Sequence, residues 1–269
     1  MGIKWALNHM TTPNLGLEAF LDLAASLDCV GVELRNDIAR PLFDGMPPAH
    51  AGQLVQGKGL RLVGLSQVYP FNAWTPEISD QVARLIDTAI AAGAETISLI
   101  PRNDGQGTAA NERGDNLIRA MSEILPMLQK TGLTALIEPL GFLRSSLRNK
   151  TELVKAINAI NGRTHFKLVH DTFHHTLAGG GEMYPEYTGM VHVSGVIDPK
   201  LGFGDMEDEH RVLVDERDRL GNVAQISELR SVGYDGPVSY ECFAPEVHAI
   251  TDPFGAIQES MRYISERVG

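Results

Sequence analysis

Glu138, Asp171, His192 and Glu241 all carry metal-capable groups, and each stands at or near the C-terminal end of a short apolar run. The contexts are Leu136-Ile137-Glu138, Val169-His170-Asp171, Met190-Val191-His192-Val193 and Val238-Ser239-Tyr240-Glu241. Such runs read as buried β-strands. A buried strand gains nothing by ending in a charged carboxylate. Taken singly, a strand-end Glu is more often a capping or solvated group, and a lone His is more often bonded to a backbone carbonyl. Four such ends in succession are explained when parallel strands converge on one cation. Three carboxylates and one imidazole make an oxygen-rich set with one nitrogen, which suits Mn²⁺, Mg²⁺ or Zn²⁺ better than a thiolate-seeking metal.

The elements that must position these groups alternate along the chain. Strands are expected at residues 3–8, 30–34, 61–66, 96–100, 133–138, 166–171, 190–194 and 238–241. Helical spacing is expected at 15–27, 76–92, 111–130, 150–160, 223–232 and 252–268. Strict alternation predicts parallel strands with helical crossovers, and eight strands predict a single closed (β/α)₈ TIM barrel over 1–269. No GxGxxG follows the first strand, which runs into Asn8-His9-Met10-Thr11, and no Walker motif occurs. The longest irregular segment, about 197–218, follows the seventh strand. It is rich in charge and glycine, and a loop of that length in a compact domain is more often functional than idle. In such barrels the site lies at the C-terminal face. Other polar groups near strand ends are therefore candidates: Asn8, His9, Glu33, Arg35, Ser66, Gln67 and Arg102.

The bulk numbers narrow the partners. With 269 residues, 43% of them hydrophobic, the chain can bury a sizeable core. A formal charge of −11 argues against nucleic acid, whose backbone needs a basic face. Cys29 and Cys242 form no CxxC pair and read as buried thiols in a reducing compartment. The N-terminus lacks the apolar stretch of a signal peptide, and no uninterrupted apolar run approaches the ~18 residues of a membrane span. A cytoplasmic protein with a small-molecule substrate, and no membrane partner, is the expectation.

The set Ile137-Glu138-Pro139, His170-Asp171-Thr172-Phe173-His174, Val191-His192-Val193-Ser194 and Ser239-Tyr240-Glu241 resembles the xylose-isomerase-like TIM-barrel superfamily of sugar isomerases and epimerases. Within it, Val32-Glu33-Leu34-Arg35, the Glu138-Pro139-Leu140-Gly141-Phe142 run, and the segment from His210 to Asn222 look most like 2-keto-myo-inositol (inosose) isomerases. The resemblance implies one divalent ion, Mn²⁺ first with Zn²⁺, Mg²⁺ or Co²⁺ as alternatives, held by Glu138, Asp171, His192 and Glu241. It implies a polyol or ketose substrate isomerised through a metal-stabilised cis-enediolate. Glu138 and Glu241 inherit the acid/base roles, and His174 inherits substrate binding or stabilisation of oxyanion charge. Glu33, Arg35, Gln67, Arg144 and Arg211 are the candidate substrate-binding groups. By analogy the chain is a possible homodimer.

Two departures disfavour a linear ketohexose 3-epimerase. The glutamate those enzymes place six residues after the first ligating Glu is Arg144 here, and the arginine they place six residues after the ligating His is Asp198. An endonuclease IV reading lacks the extra ligands and the basic surface. Inosose dehydration, a hydroxypyruvate-isomerase-like reaction and a non-catalytic sugar-binding barrel remain as alternatives.

Overall fold

A computed structural model describes residues 2–268 of the chain. The strands are β1 (Lys4–Asn8), β2 (Gly31–Arg35), β3 (Arg61–Val68), β4 (Thr96–Leu99), β5 (Thr134–Ile137), β6 (Phe166–Asp171), β7 (Thr188–Val193) and β8 (Pro237–Tyr240). Each pairs in parallel with its sequence neighbour, and β1 pairs with β8, so the sheet closes as a barrel. The helices are α1 (Leu17–Ser26), α2 (Pro48–Gly57), α3 (Pro76–Ala92), α4 (Ala110–Leu128), α5 (Lys150–Ala159), α6 (Thr172–Leu177), α7 (Asn222–Ser231), α8 (Pro245–His248) and α9 (Pro253–Ser265). The alternation expected from the sequence is what forms. The helices it did not anticipate are α2, α6 and α8. Among the described residues no helix is long and apolar enough to cross a membrane.

Local chemistry sets the helix ends. Thr75 accepts the amide N–H of Ile78 at the start of α3, Asn149 accepts that of Glu152 at α5, and Asp252 accepts that of Gly255 at α9. Gly93, at φ 70°, closes α3 in the left-handed conformation that a side chain disfavours. Outward-facing strand residues such as Leu7, Val32, Leu65, Ile97, Leu168 and Val191 are fully or almost fully buried against the helices. Each contributes roughly 1.5–3 kcal/mol of burial.

The inward face is what builds the site. Ala6, Val63, Leu136, Val169 and Met190 form a separate buried apolar cluster, one residue from each of five strands. Alternate strand residues share a face. Two positions beyond Ala6, Leu136, Val169 and Met190 stand Asn8, Glu138, Asp171 and His192, so the polar layer rests directly on this apolar floor. A second apolar cluster, with Leu140, Phe142, Phe173, Val196, Met206 and Leu220, gathers the loops beyond β5 and β7 around α6.

Candidate metal centre and active site

Glu138 follows β5, Asp171 ends β6, His192 lies one residue from the end of β7, and Glu241 follows β8. Asp171 and His192 are register partners across β6 and β7, and the Glu241 amide N–H donates to the Val193 carbonyl. The four side chains are buried, and each presents a ligand atom within 4.8 Å of the others. His192 Nδ1 is 3.2 Å from Glu241 Oε2 and 3.7 Å from Glu138 Oε1. Neither His192 Nδ1 nor Glu138 Oε1 has a hydrogen-bond partner of proper geometry, a costly condition for buried polar atoms. With Glu33, four carboxylates are buried here against two guanidiniums, Arg35 and Arg211. With the carboxylates ionised and the ring neutral, as metal ligands are, two surplus negative charges and two converging unpartnered atoms fit a dication with oxygen and nitrogen ligands.

The other nitrogen of His192 is held from behind. Both oxygens of Glu33, on β2, lie 3.1 Å from His192 Nε2. Gly64 makes room for that carboxylate: a Cβ there would sit 3.1 Å from the Glu33 Cγ and Oε2. A carboxylate behind a ligating histidine fixes its tautomer and raises its basicity.

The electrostatics divide the two glutamates. Burial pushes the Glu138 carboxyl up, and the neighbouring Glu241 pushes it further. Burial alone would also raise Glu241, but His192, Arg211 and Arg35 hold it well below the usual carboxylate range. Burial works against a charged His192 ring, yet Glu33 and Glu241 outweigh it and hold its pKa well above the ordinary value. Without a cation, the two neighbouring carboxyls are thus driven apart in proton affinity.

Arg35 donates through Nη1 to Glu241 Oε1 at 2.5 Å and through Nε and Nη2 to Asp37. Arg211 donates through Nη2 to Asp171 Oδ2 at 2.5 Å and to Glu241 Oε2 at 3.0 Å. Its Nε donates to Ser194 Oγ and its Nη1 to Asp208. Both guanidiniums face the ring of Phe243, at 5.7 Å and 4.6 Å. Asn8 donates to Glu241 Oε1. His174, in the first turn of α6, has its amide N–H on Asp171 Oδ1 and its Nε2 3.9 Å from Glu138 Oε1. Its ring is packed edge-on against Phe142 and Phe173, and its Nδ1 is buried without a partner.

The structure thus brings Glu138, Asp171, His192, Glu241, His174, Arg35 and Arg211 together, and it places the other three candidates, Glu33, Gln67 and Arg144, differently. Glu33 is fully buried and bonded to His192, so it stands behind a ligand rather than among groups a substrate would touch. The Gln67 peptide is held by Asn36, and the residue lines an outer groove with Gln81, Arg84, Leu85 and Thr88 of α3. Arg144 is 42% exposed and forms a bidentate pair with Glu207, joining the loops after β5 and β7 at the rim. Sequence reasoning missed Ser194, Asp37, Asp208 and Phe243. Of these, Ser194 and Phe243 each lie two residues beyond a ligand, the same-face spacing that could have marked them.

Comparison with known proteins bears on the family and the fold. The xylose isomerase-like TIM barrel family matches residues 21–267. The inosose isomerase of Bacillus velezensis is 23% identical over 180 residues, 65% of this chain, and that match spans only 63% of the relative's length. A crystal structure of a xylose isomerase domain containing protein from Salmonella typhimurium LT2 superimposes with a TM-score of 0.90 at 29% identity, covering 100% of both chains. That of the IolI protein with a bound zinc atom, 18% identical, gives a TM-score of 0.88 over 99% of each chain. The chain therefore belongs to the xylose isomerase-like TIM barrel family.

Proposed function

We propose that the chain is a divalent-metal-dependent isomerase or epimerase acting on a keto-inositol or a related polyhydroxy ketone. The observation that carries this reading is geometric: Glu138, Asp171, His192 and Glu241, all buried, bring one ligand atom each within 4.8 Å of the others at the C-terminal end of the barrel. The fit of the surrounding atoms to a cation and the similarity to inosose isomerase support it.

Moving a carbonyl along a polyol, or inverting the carbon beside it, requires a proton to leave one carbon and return to another or to the opposite face. Glu138 and Glu241 share the acid/base roles: one accepts the proton as it leaves carbon, and the same carboxyl or the other returns it. His174 donates a hydrogen bond to the substrate oxygen on which negative charge develops. Arg35 and Arg211 do not need to touch substrate. They hold the carboxylates of Glu241 and Asp171 in one orientation. Glu138, Asp171, His192 and Glu241 would hold the cation, with Mn²⁺ suiting the donor set best and Zn²⁺, Mg²⁺ and Co²⁺ also compatible. When bound, it would supply Lewis-acid polarisation of the substrate carbonyl.

The test is incubation with inososes and ketoses in D₂O with Mn²⁺, followed by chelation and proton NMR. Loss of a C–H signal beside the carbonyl, with a new isomer, is the expected result. A dehydrated product would assign a lyase instead, and metal-loaded protein that exchanges no C–H on any of these ketones would overturn the reading.

A further inference from the structure

A second buried polar group lies outside the barrel wall, behind the candidate site. Successive strand residues point to opposite faces, so where Asp171 faces inward, His170 faces outward. His170 is fully buried. Its Nε2 is 2.9 Å from Gln225 Oε1, and its Nδ1 is 2.8 Å from Nζ of Lys150. The proton positions follow from Gln225. Its amide nitrogen lies 2.7 Å from the Leu220 carbonyl and 3.2 Å from the Thr172 carbonyl, and these can only accept. Its oxygen therefore faces His170, Nε2 carries the ring proton, and Nδ1 accepts from Lys150.

Lys150, at the start of α5, is 7% exposed. It also lies 3.7 Å from the Met183 sulfur, and among the described residues no ion pair holds its amine. Glu228 and Glu182 act on it only from a distance, and His170 and His175 are the other titratable groups facing it. Burial brings the amine down to about 7, more than those two acids raise it. A buried lysine without a counter-ion would normally be selected against.

The chain of bonds runs from α5 through β6 to α7, and Gln225 ends it on the Thr172 carbonyl and on Thr176 Oγ1, both in α6. Helix α6 has only six residues, and its N-cap is Asp171. Asp171, His174, His175 and Lys150 line one narrow crevice.

We propose that Lys150 is a positioning residue for the candidate site: through His170 and Gln225 it clamps the first turn of α6, and so fixes the directions of Asp171 and His174. This rests on the reading of those two residues as site groups, so the test has readouts in the metal-free protein.

Nitrogen-15 NMR of wild-type protein should show His170 protonated at Nε2 with a hydrogen-bonded Nδ1. The opposite tautomer overturns the proposal without any variant. In Lys150→Met, amide exchange across residues 173–178 should speed by about five- to tenfold, the factor for one net hydrogen bond. Exchange in α9 should stay at the wild-type rate. His170→Phe should loosen the same amides, and Lys150→Met added to it should do nothing more. Unchanged exchange in α6, or additive effects, overturns the proposal. With the clamp removed, Mn²⁺ affinity should fall by about tenfold, the lower end for loss of an outer partner. If α6 loosens as expected while wild-type protein takes up no Mn²⁺, the metal reading fails and the clamp stands.

Discussion

Both oxygens of Glu33 lie 3.1 Å from Nε2 of His192, which leaves Nδ1 of the ring aimed at Glu138 and Glu241. The ring cannot turn without breaking those contacts in the barrel interior. Glu33→Gln should therefore weaken divalent-metal affinity by about 10–100-fold, as loss of a partner behind a ligand does. Chelator competition on the purified variant measures it, and wild-type affinity would remove Glu33 from the centre.

Glu138→Gln and Glu241→Gln each remove a base or acid together with a ligand charge. Substrate C–H exchange in D₂O should fall by more than about 10³-fold in either variant, within the upper range for a positioned acid or base. Metal content must be determined alongside. A variant that keeps metal and near-wild-type exchange does not carry the proton.

His174→Ala should lower turnover and leave metal content nearly unchanged, because the ring lies beside Glu138 and outside the four-residue set. The loss expected for one oxyanion donor is roughly 2.7–4 kcal/mol. Metal lost together with activity would make His174 a ligand or its direct support. Unchanged kinetics would make it a packing residue between Phe142 and Phe173.

The metal-free protein should lose stability as pH rises from mildly acidic to alkaline. The folded pKa of His192 is raised from 6.5, so its contribution is complete below 6.5 and is lost as pH climbs through the folded value. Glu138, raised from 4.5, acts in the same direction. Glu241, depressed from 4.5, contributes above 4.5 and loses its contribution as pH falls through its folded value. Between these limits the centre is most stable. Thermal unfolding of chelator-treated protein across the range measures this, and a midpoint that rises steadily above neutrality contradicts it.

The strand ends were legible because a carboxylate or imidazole closing an apolar run is chemically out of place. Glu138, Asp171, His192 and Glu241 all stood out on that ground, and the eightfold alternation followed from spacing alone. Helix α2 did not stand out, since Pro48-Ala49-His50-Ala51-Gly52 offers few large apolar residues and carries a glycine. That glycine is required by contact: a Cβ on Gly52 would meet the Ala92 carbonyl at 2.1 Å. Helix α6 is too short to show a period. Arg211 and Arg144 looked alike in sequence, two arginines in loops. What separates them is three-dimensional: Arg211 is packed against Phe173 and Phe243 and pairs with buried carboxylates, while Arg144 stacks on Phe142 and pairs with exposed Glu207. Lys150 read as an ordinary helix start, because nothing local reveals that His170 waits on the facing strand.

The centre is nearly sealed. Arg35, Glu138, Asp171, His174, His192, Arg211 and Glu241 are each at most 6% exposed. Arg211 arrives from the segment after β7, which the Arg144–Glu207 pair ties to the segment after β5. On the function proposed above, a substrate reaches these buried groups when the two segments part, and leaves when they part again. Such motions run on the microsecond-to-millisecond scale and often set the turnover of an enzyme. The guanidinium that holds Asp171 and Glu241 in place is thus carried on one of the two segments that must part, and the traffic of molecules through the site is coupled to the alignment of the groups inside it.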